Sequence, residues 1–438
     1  MTQKLLIAAR WVVPVEPAQA VFENHAVAVR DGRIEAVLPI AEAAVRYADF
    51  ERVDLPAHAL IPGLVNAHTH AAMTLLRGIA DDLPLMRWLE EHIWPLEAKH
   101  VSPQFVRDGT LLACAEMLRG GITCFNDMYF FAEAALEAVL EAGMRAALGI
   151  IVVEFPSAYA ADPDDYLAKG LALRDRWREH PLLSFCLAPH APYTVSDATF
   201  RRLATLAGEI EIPLHIHLHE TEEEVERSLA EHGVRPLERL RRAGVLGPGL
   251  IAVHAIHLDD AEIELLARHG AKVAHCPSSN LKLASGFAPV AKLARAGVEI
   301  ALGTDGAASN NRLDLFEEMR LAALLAKAVA HDAEAMPAHA ALRAATLGGA
   351  TALGLEARIG SLVAGKEADL VAVRLDGAEM EPCYDPVSHL VYVAGRQQVS
   401  HVWVSGHPVV REGELQNHAL AGLDTRVKLW HNLLGARP

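Results

Sequence analysis

The sequence is poor in the features that mark several broad classes of protein. Its 438 residues hold five cysteines, at positions 114, 124, 186, 276 and 383, with no C-x-x-C pair. Scattered thiols predict a reducing compartment and argue against both a disulfide framework and a zinc ribbon. No stretch reaches the roughly 18 uninterrupted apolar residues of a membrane-spanning helix. The apolar run after Lys4 is broken by Arg10 with no cleavage-site pattern behind it, so no signal peptide is expected and a cytoplasmic chain is. Positive charge is also short. Forty Lys+Arg against 56 Asp+Glu leave a formal charge of −16, which argues against nucleic acid or an anionic membrane as partner. Aromatic residues make up only 5%. There is no internal repeat and no low-complexity tract.

What is abundant is aliphatic. Hydrophobic residues reach 52%, mostly Ala, Leu and Val, a bias that suits helices packed on a buried parallel sheet. Residues 1–58 read as short strands, two of them joined by Asp31-Gly32, a strong hairpin signal. From residue 59 short apolar runs alternate with helical patterns. Strands are expected at 60–66, 122–126, 146–153, 182–188, 212–218, 250–254, 272–275 and 298–302. Helices are expected from Ser102-Pro103 to Gly120-Gly121, over Ala132–Ala142, and near 196–208, 221–232, 259–269, 287–296 and 314–330. Eight such repeats predict a closed (β/α)₈ barrel. A doubly wound open sheet is the alternative, but no G-x-G-x-x-G follows a strand. Beyond a helix near 337–348, β texture returns at Ala368–Arg374, Val399–Val404 and Val409–Arg411, with a helix near 424–434. The expected fold is thus an α/β barrel over 59–358 with a small discontinuous β-sandwich domain from 1–58 and 359–438.

Polar residues gather where such a barrel carries its chemistry, at the C-terminal ends of strands. Strand one ends in His68-Thr-His70, whose alternation places both imidazoles on one face, where they can share a metal ion. Strand five carries His215, His217 and His219 before Glu220, all three on one face, so parity alone does not choose among them. His219-Glu220 begins like H-E-x-x-H, but residue 223 is glutamate, which excludes that zinc motif. Strand six ends in His254, strand seven in His275 and strand eight in Gly303-Thr-Asp305. Each alone has a structural explanation, as a core histidine or a helix cap. Their recurrence at the ends of strands one, five, six and eight points to one site.

On Pro62-Gly-Leu-Val-Asn-Ala-His-Thr-His70, His217-Leu-His-Glu220, Val253-His254 and Gly303-Thr-Asp305, the chain resembles the amidohydrolase superfamily, in its mononuclear branch of deaminases and triazine hydrolases. The resemblance spans nearly the whole chain. It implies that His68, His70, His217 and Asp305 bind one divalent metal ion, zinc foremost, with Fe²⁺ or Mn²⁺ suited to the same donors. Leu182-Leu-Ser-Phe-Cys-Leu-Ala188 lacks the lysine that binuclear relatives carboxylate, which favours a single ion. Such an ion lowers the pKa of a water towards about 7. Glu220, His254 and Asp305 are then the catalytic groups. Asp305 takes the water proton, His254 orients the nucleophile, and Glu220 protonates a ring nitrogen of an amino-heterocycle and passes a proton to the leaving amine. The P-C-x-x-C of cytidine-deaminase zinc sites is missing, because Pro382-Cys383 is followed by Pro386.

Three further stretches, Trp88-Leu-Glu-Glu-His-Ile-Trp-Pro-Leu-Glu97, Ala188-Pro-His-Ala-Pro-Tyr193 and Gly303-Thr-Asp-Gly-Ala-Ala-Ser-Asn-Asn311, look like the 5′-methylthioadenosine/S-adenosylhomocysteine deaminase subfamily. By that resemblance Trp88, Glu97, His190, Glu220 and Asp305 contact a small nucleoside, Glu97 accepting the ribose hydroxyls. Arg145 matches a basic residue that holds an amino-acid carboxylate. Residues 149–161 contain no second arginine or lysine, which leans the expectation to methylthioadenosine, 5′-deoxyadenosine or adenosine. A guanine deaminase or chlorohydrolase of the same superfamily is the alternative, and a silent scaffold barrel a remote one. A homo-oligomer is compatible with the resemblance.

Overall fold

Apolar runs too short for helices, each flanked by turn residues, become the inner wall of the molecule. The computed structural model describes residues 3–417 and 422–435; the remaining positions of the two terminal segments lie outside the described residues. Eight parallel strands follow one another in chain order: Leu64–Thr69, Ile122–Asp127, Arg145–Val152, Leu183–Pro189, Leu214–Leu218, Leu250–His254, Lys272–His275 and Glu299–Leu302. Strands two, three and five are buried at every position, as strands covered by helices outside and side chains inside must be. Beyond the eighth strand the chain returns to the first, where the Asp305 N–H donates to the His68 carbonyl at 3.0 Å and the Thr304 N–H to Asn66 Oδ1 at 2.9 Å.

The helices start where the sequence places caps. Ser102 Oγ accepts the Phe105 N–H at 3.2 Å and opens Pro103–Arg119, which ends at Gly120. Ala132–Ala142 stops at Gly143 in the left-handed region. Pro163–Trp177, capped by Asp162, supplies a helix between strands three and four that the sequence reading did not place.

The first expected strand, 60–66, is divided. Glu51–Pro62 belongs to a second sheet, and Gly63 is the crossing point into the barrel. A Cβ there would lie 2.0 Å from Thr123 Oγ1, so only glycine lets the chain pass. The second sheet has eight strands drawn from both ends of the chain, in which Glu51–Pro62 pairs with Lys4–Val12 on one side and Leu370–Arg374 on the other. Its strands form one continuous hydrogen-bonded order. An apolar cluster joins residues from both of its halves, among them Leu5, Val27 and Ile34 with Leu370 and Trp403. The Asp31-Gly32 turn has φ of 48° and 77°, the pair of positive values that a type I′ hairpin needs.

The structure overturns the assignment of Arg145. It is the first residue of the third barrel strand, at the end opposite the histidines. Its guanidinium is buried, donating to Glu367 Oε2 at 2.5 Å, to both Asp369 oxygens at 3.1 Å and to the Pro181 carbonyl at 2.7 Å. Strand polarity explains the correction: a side chain at the start of a strand cannot reach a site at its end. Arg145 instead ties the barrel floor to the small domain.

Candidate active site

Strand alternation brings His68, His70, His217 and Asp305 to one point. One donor atom from each lies within 4.8 Å of the others. His217 Nε2 is 3.3 Å from His68 Nε2, and Asp305 Oδ1 is 3.2 Å from His68 Nε2 and 3.3 Å from His70 Nε2. Tetrahedral donors at a metal–ligand distance of about 2.0–2.2 Å are about 3.3–3.6 Å apart, so the group fits a divalent ion such as zinc. The outer ring nitrogens support the same reading. His70 Nδ1 meets the Met128 carbonyl at 2.6 Å and His217 Nδ1 the His190 carbonyl at 2.7 Å. A carbonyl only accepts, so each Nδ1 carries the proton and each Nε2 turns a lone pair inward.

Strand five resolves by depth. His217 is the inward donor, and His215, one layer below it, places Nε2 2.9 Å from His68 Nδ1. His219 lies beyond the strand at φ 54°, where its Nδ1 meets the His257 carbonyl and its Nε2 accepts the Leu237 N–H, both at 3.1 Å. It is a structural residue. His275 is buried, and neither ring nitrogen has a hydrogen-bond partner among the described residues, so it is not drawn into the site.

The group opens into a cavity of about 610 Å³, lined by His70, His217, Glu220, His254 and Asp305 together with Trp88, Glu97, His190 and a wall of aromatic and aliphatic side chains. That volume suits a nucleoside-sized ligand. His254 Nδ1 meets Asn280 Oδ1 at 2.8 Å, leaving Nε2 to face Glu220 Oε2 at 3.7 Å. Burial lifts the Glu220 carboxyl above its usual range, with the His254 charge pulling the other way and Asp305 adding to the rise. Burial opposes a charged His254, yet the Glu220 and Asp305 carboxylates raise its pKa. Asp305 is also buried, but His68 as hydrogen-bond partner and the charges of His68, His70 and His254 hold it well below the usual carboxylate range. Its second oxygen accepts from Ser279 Oγ at 2.6 Å and Ser309 Oγ at 2.7 Å. Gly303 lets the eighth strand pass close beside this point: a Cβ there would lie 2.9 Å from that of His68.

Glu97 accepts the Tyr129 hydroxyl at 2.6 Å, and burial raises its pKa with Tyr129 offsetting part of the rise. His190 Nδ1 lies 3.1 Å from Thr194 Oγ1, and burial lowers its pKa to about 3, so it is a neutral ring. Trp88 lies against the cavity with Nε1 3.4 Å from the Ile79 carbonyl. Sequence reasoning missed Tyr129, Ser279, Asn280 and Ser309. The signal for the two serines and the asparagine was available, because Cys276-Pro-Ser-Ser-Asn280 and Gly306–Asn310 directly follow strands seven and eight.

The amidohydrolase family pattern matches residues 59–409. A 5-methylthioadenosine/S-adenosylhomocysteine deaminase of Teredinibacter turnerae is 49% identical over 429 residues, covering 98% of this chain and 97% of the relative. The chain belongs to the amidohydrolase family. Another deaminase of the same designation, from Saccharophagus degradans, is 48% identical over 96% of this amidohydrolase and 94% of its own length. The crystal structure of an adenosine deaminase from Xanthomonas campestris with bound zinc superposes on this amidohydrolase with a TM-score of 0.97, at 53% identity and 99% coverage of both chains.

Proposed function

We propose that this amidohydrolase is a zinc-dependent deaminase of adenine nucleosides, with 5′-methylthioadenosine the preferred substrate. One observation carries the reading: the cavity that holds the four-donor group, Glu220 and His254 also holds Glu97, and among the described residues no Lys or Arg lines it. Glu97 suits a ribose diol as a carboxylate acceptor. The aromatic and aliphatic wall suits a methylthio group, whereas an amino-acid carboxylate would enter without a cation to pair it. The similarity to 5-methylthioadenosine/S-adenosylhomocysteine deaminases supports the same substrate class.

When bound, the ion supplies Lewis acidity and an activated water. The protein's own groups manage the protons. Asp305, held ionised, accepts a proton from the attacking water. Glu220, whose pKa burial raises, gives one to a ring nitrogen beside the amino-bearing carbon. His254, fixed through Asn280, presents Nε2 to the reacting oxygen and steadies developing charge. Glu220 then takes the hydroxyl proton of the adduct and passes it to the amine, which leaves as ammonia. The proton on Asp305 restores Glu220, so nucleoside and water give the 6-oxo nucleoside and ammonia.

The test is ammonia release by zinc-loaded protein on methylthioadenosine, S-adenosylhomocysteine, adenosine and guanine. Methylthioadenosine turning over fastest is the expected result. Guanine alone turning over would keep the donor group and discard the nucleoside pocket.

A further inference from the structure

A buried carboxylate outside the reacting group is bonded in a way its sequence position does not predict. Thr221-Glu-Glu-Glu224 opens the helix Glu222–His232, and Thr221 Oγ1 accepts the Glu224 N–H at 3.1 Å. In such a capping box the third glutamate reaches back to the N–H of the cap residue itself. The molecule contains an ordinary example at Asp259 and Glu262, where Glu262 Oε2 accepts the Asp259 N–H at 3.0 Å and Asp259 Oδ1 the Glu262 N–H at 2.9 Å. Glu224 passes over Thr221. Its Oε1 accepts the His219 N–H at 2.9 Å and its Oε2 the Glu220 N–H at 2.8 Å. Two consecutive N–H groups converging on one anion form a nest, and the left-handed backbone at His219 supplies the turn it requires.

The consequence falls on Glu220. Its backbone is held by Glu224, while its carboxyl faces His254 Nε2 at 3.7 Å. His219 is pinned on both ring nitrogens and on its own N–H, so the residue before Glu220 cannot rotate without losing three hydrogen bonds. We propose that Glu224 is the positioning residue of the proton donor: by holding the N–H groups of His219 and Glu220 it fixes the Glu220 carboxyl in the cavity opposite His254. This rests on the role given to Glu220 above. Burial pushes the Glu224 carboxyl up to about 7, with the two N–H groups lowering it and Glu220 raising it. A carboxyl retained at that cost, where an ordinary cap was open to it, is placed for its neighbour.

A double-mutant cycle on the zinc-loaded enzyme tests this, with kcat, KM, metal content and Tm measured for Glu220→Gln, Glu224→Gln and the pair. An amide at position 224 offers one acceptor to two N–H groups, so the turn shifts. A displacement of about 1 Å in a catalytic group costs about 100-fold. E224Q is expected to lower kcat by about that factor, with KM and metal content unchanged. The pair should be no slower than E220Q alone, because Glu224 acts through Glu220. Glu224→Asp, still a bidentate anion, should recover part of the loss, and it carries the test if E224Q does not fold. Full multiplication of the two effects, or a loss located in KM or metal content, would overturn the proposal. E224Q retaining full turnover while E220Q is slow would overturn it and leave the acid role intact. E220Q retaining full turnover would remove the acid role and this inference together.

Discussion

Removing the Glu97 carboxylate should weaken the enzyme towards a nucleoside and not towards the same molecule without its ribose hydroxyls. Glu97 is half-buried and, among the described residues, accepts one side-chain hydrogen bond, from Tyr129 on Oε1 at 2.6 Å. Its remaining acceptor sites are open to the 2′ and 3′ hydroxyls. A hydrogen bond to a charged group contributes about 1.5–3 kcal/mol, so two give about 3–6 kcal/mol, or about 10² to 10⁴ in kcat/KM. The assay compares 5′-methylthioadenosine with its 2′,3′-dideoxy analogue in the wild type and in Glu97→Ala. The wild type should lose most of that factor on the dideoxy analogue, and E97A should discriminate little. The sign of the pH effect follows from the raised pKa. The ionised carboxylate is the better acceptor, so KM for the nucleoside should fall as pH rises through the Glu97 pKa, and that slope should vanish in E97A. Equal losses by E97A on both substrates would refute the ribose assignment, because the defect would then lie in the fold or the reacting group.

Arg145→Met should cost about 3–5 kcal/mol of stability, read as a lower Tm, because it leaves Asp369 buried without a cation and Glu367 with Arg358 as its remaining close partner. A selective rise in KM for S-adenosylhomocysteine, with Tm unchanged, would restore Arg145 to the site. His217→Ala should abolish stoichiometric zinc binding, measured by elemental analysis of dialysed protein. Retention of one zinc per chain would disprove the donor set. Ala158→Arg places a cation on the exposed rim of the cavity and should raise turnover of S-adenosylhomocysteine relative to methylthioadenosine about 5-fold, the worth of a partly exposed pair of about 1 kcal/mol. No change in that ratio would put the 5′ group elsewhere.

The barrel was legible because its strands are short, aliphatic and bounded by turns, and because active groups at strand ends follow from strand polarity. That same rule would have rejected Arg145, which stands at the start of its strand. Similarity to a motif drew it towards the site, and only the placement of Glu367 and Asp369 shows what holds it. Strand five could not be resolved from sequence because parity carries no depth: His215 and His217 face the same way, one layer apart. Asn280 and Ser309 were passed over for another reason, although both follow barrel strands in the chain. They lie in short helical turns whose local pattern reads as ordinary capping: Asn280 meets His254 at the end of another strand, and Ser309 meets Asp305 four residues before it.

Glu220 and Asp305 share one cavity and one neighbour, His254, yet their surroundings push them apart. Glu220 has lost water and gained little, so it is inclined to keep a proton. Asp305 has lost water too, but three histidines at the ends of two strands, together with Ser279 and Ser309, favour its anion. In the proposed mechanism two carboxyls separated in this way serve as donor and acceptor. Deamination of a heterocycle asks for that pair: an acceptor for the proton of water and a donor for the ring nitrogen. Glu224 and Asn280 then have a common purpose, since the first fixes the donor and the second fixes the histidine between donor and acceptor.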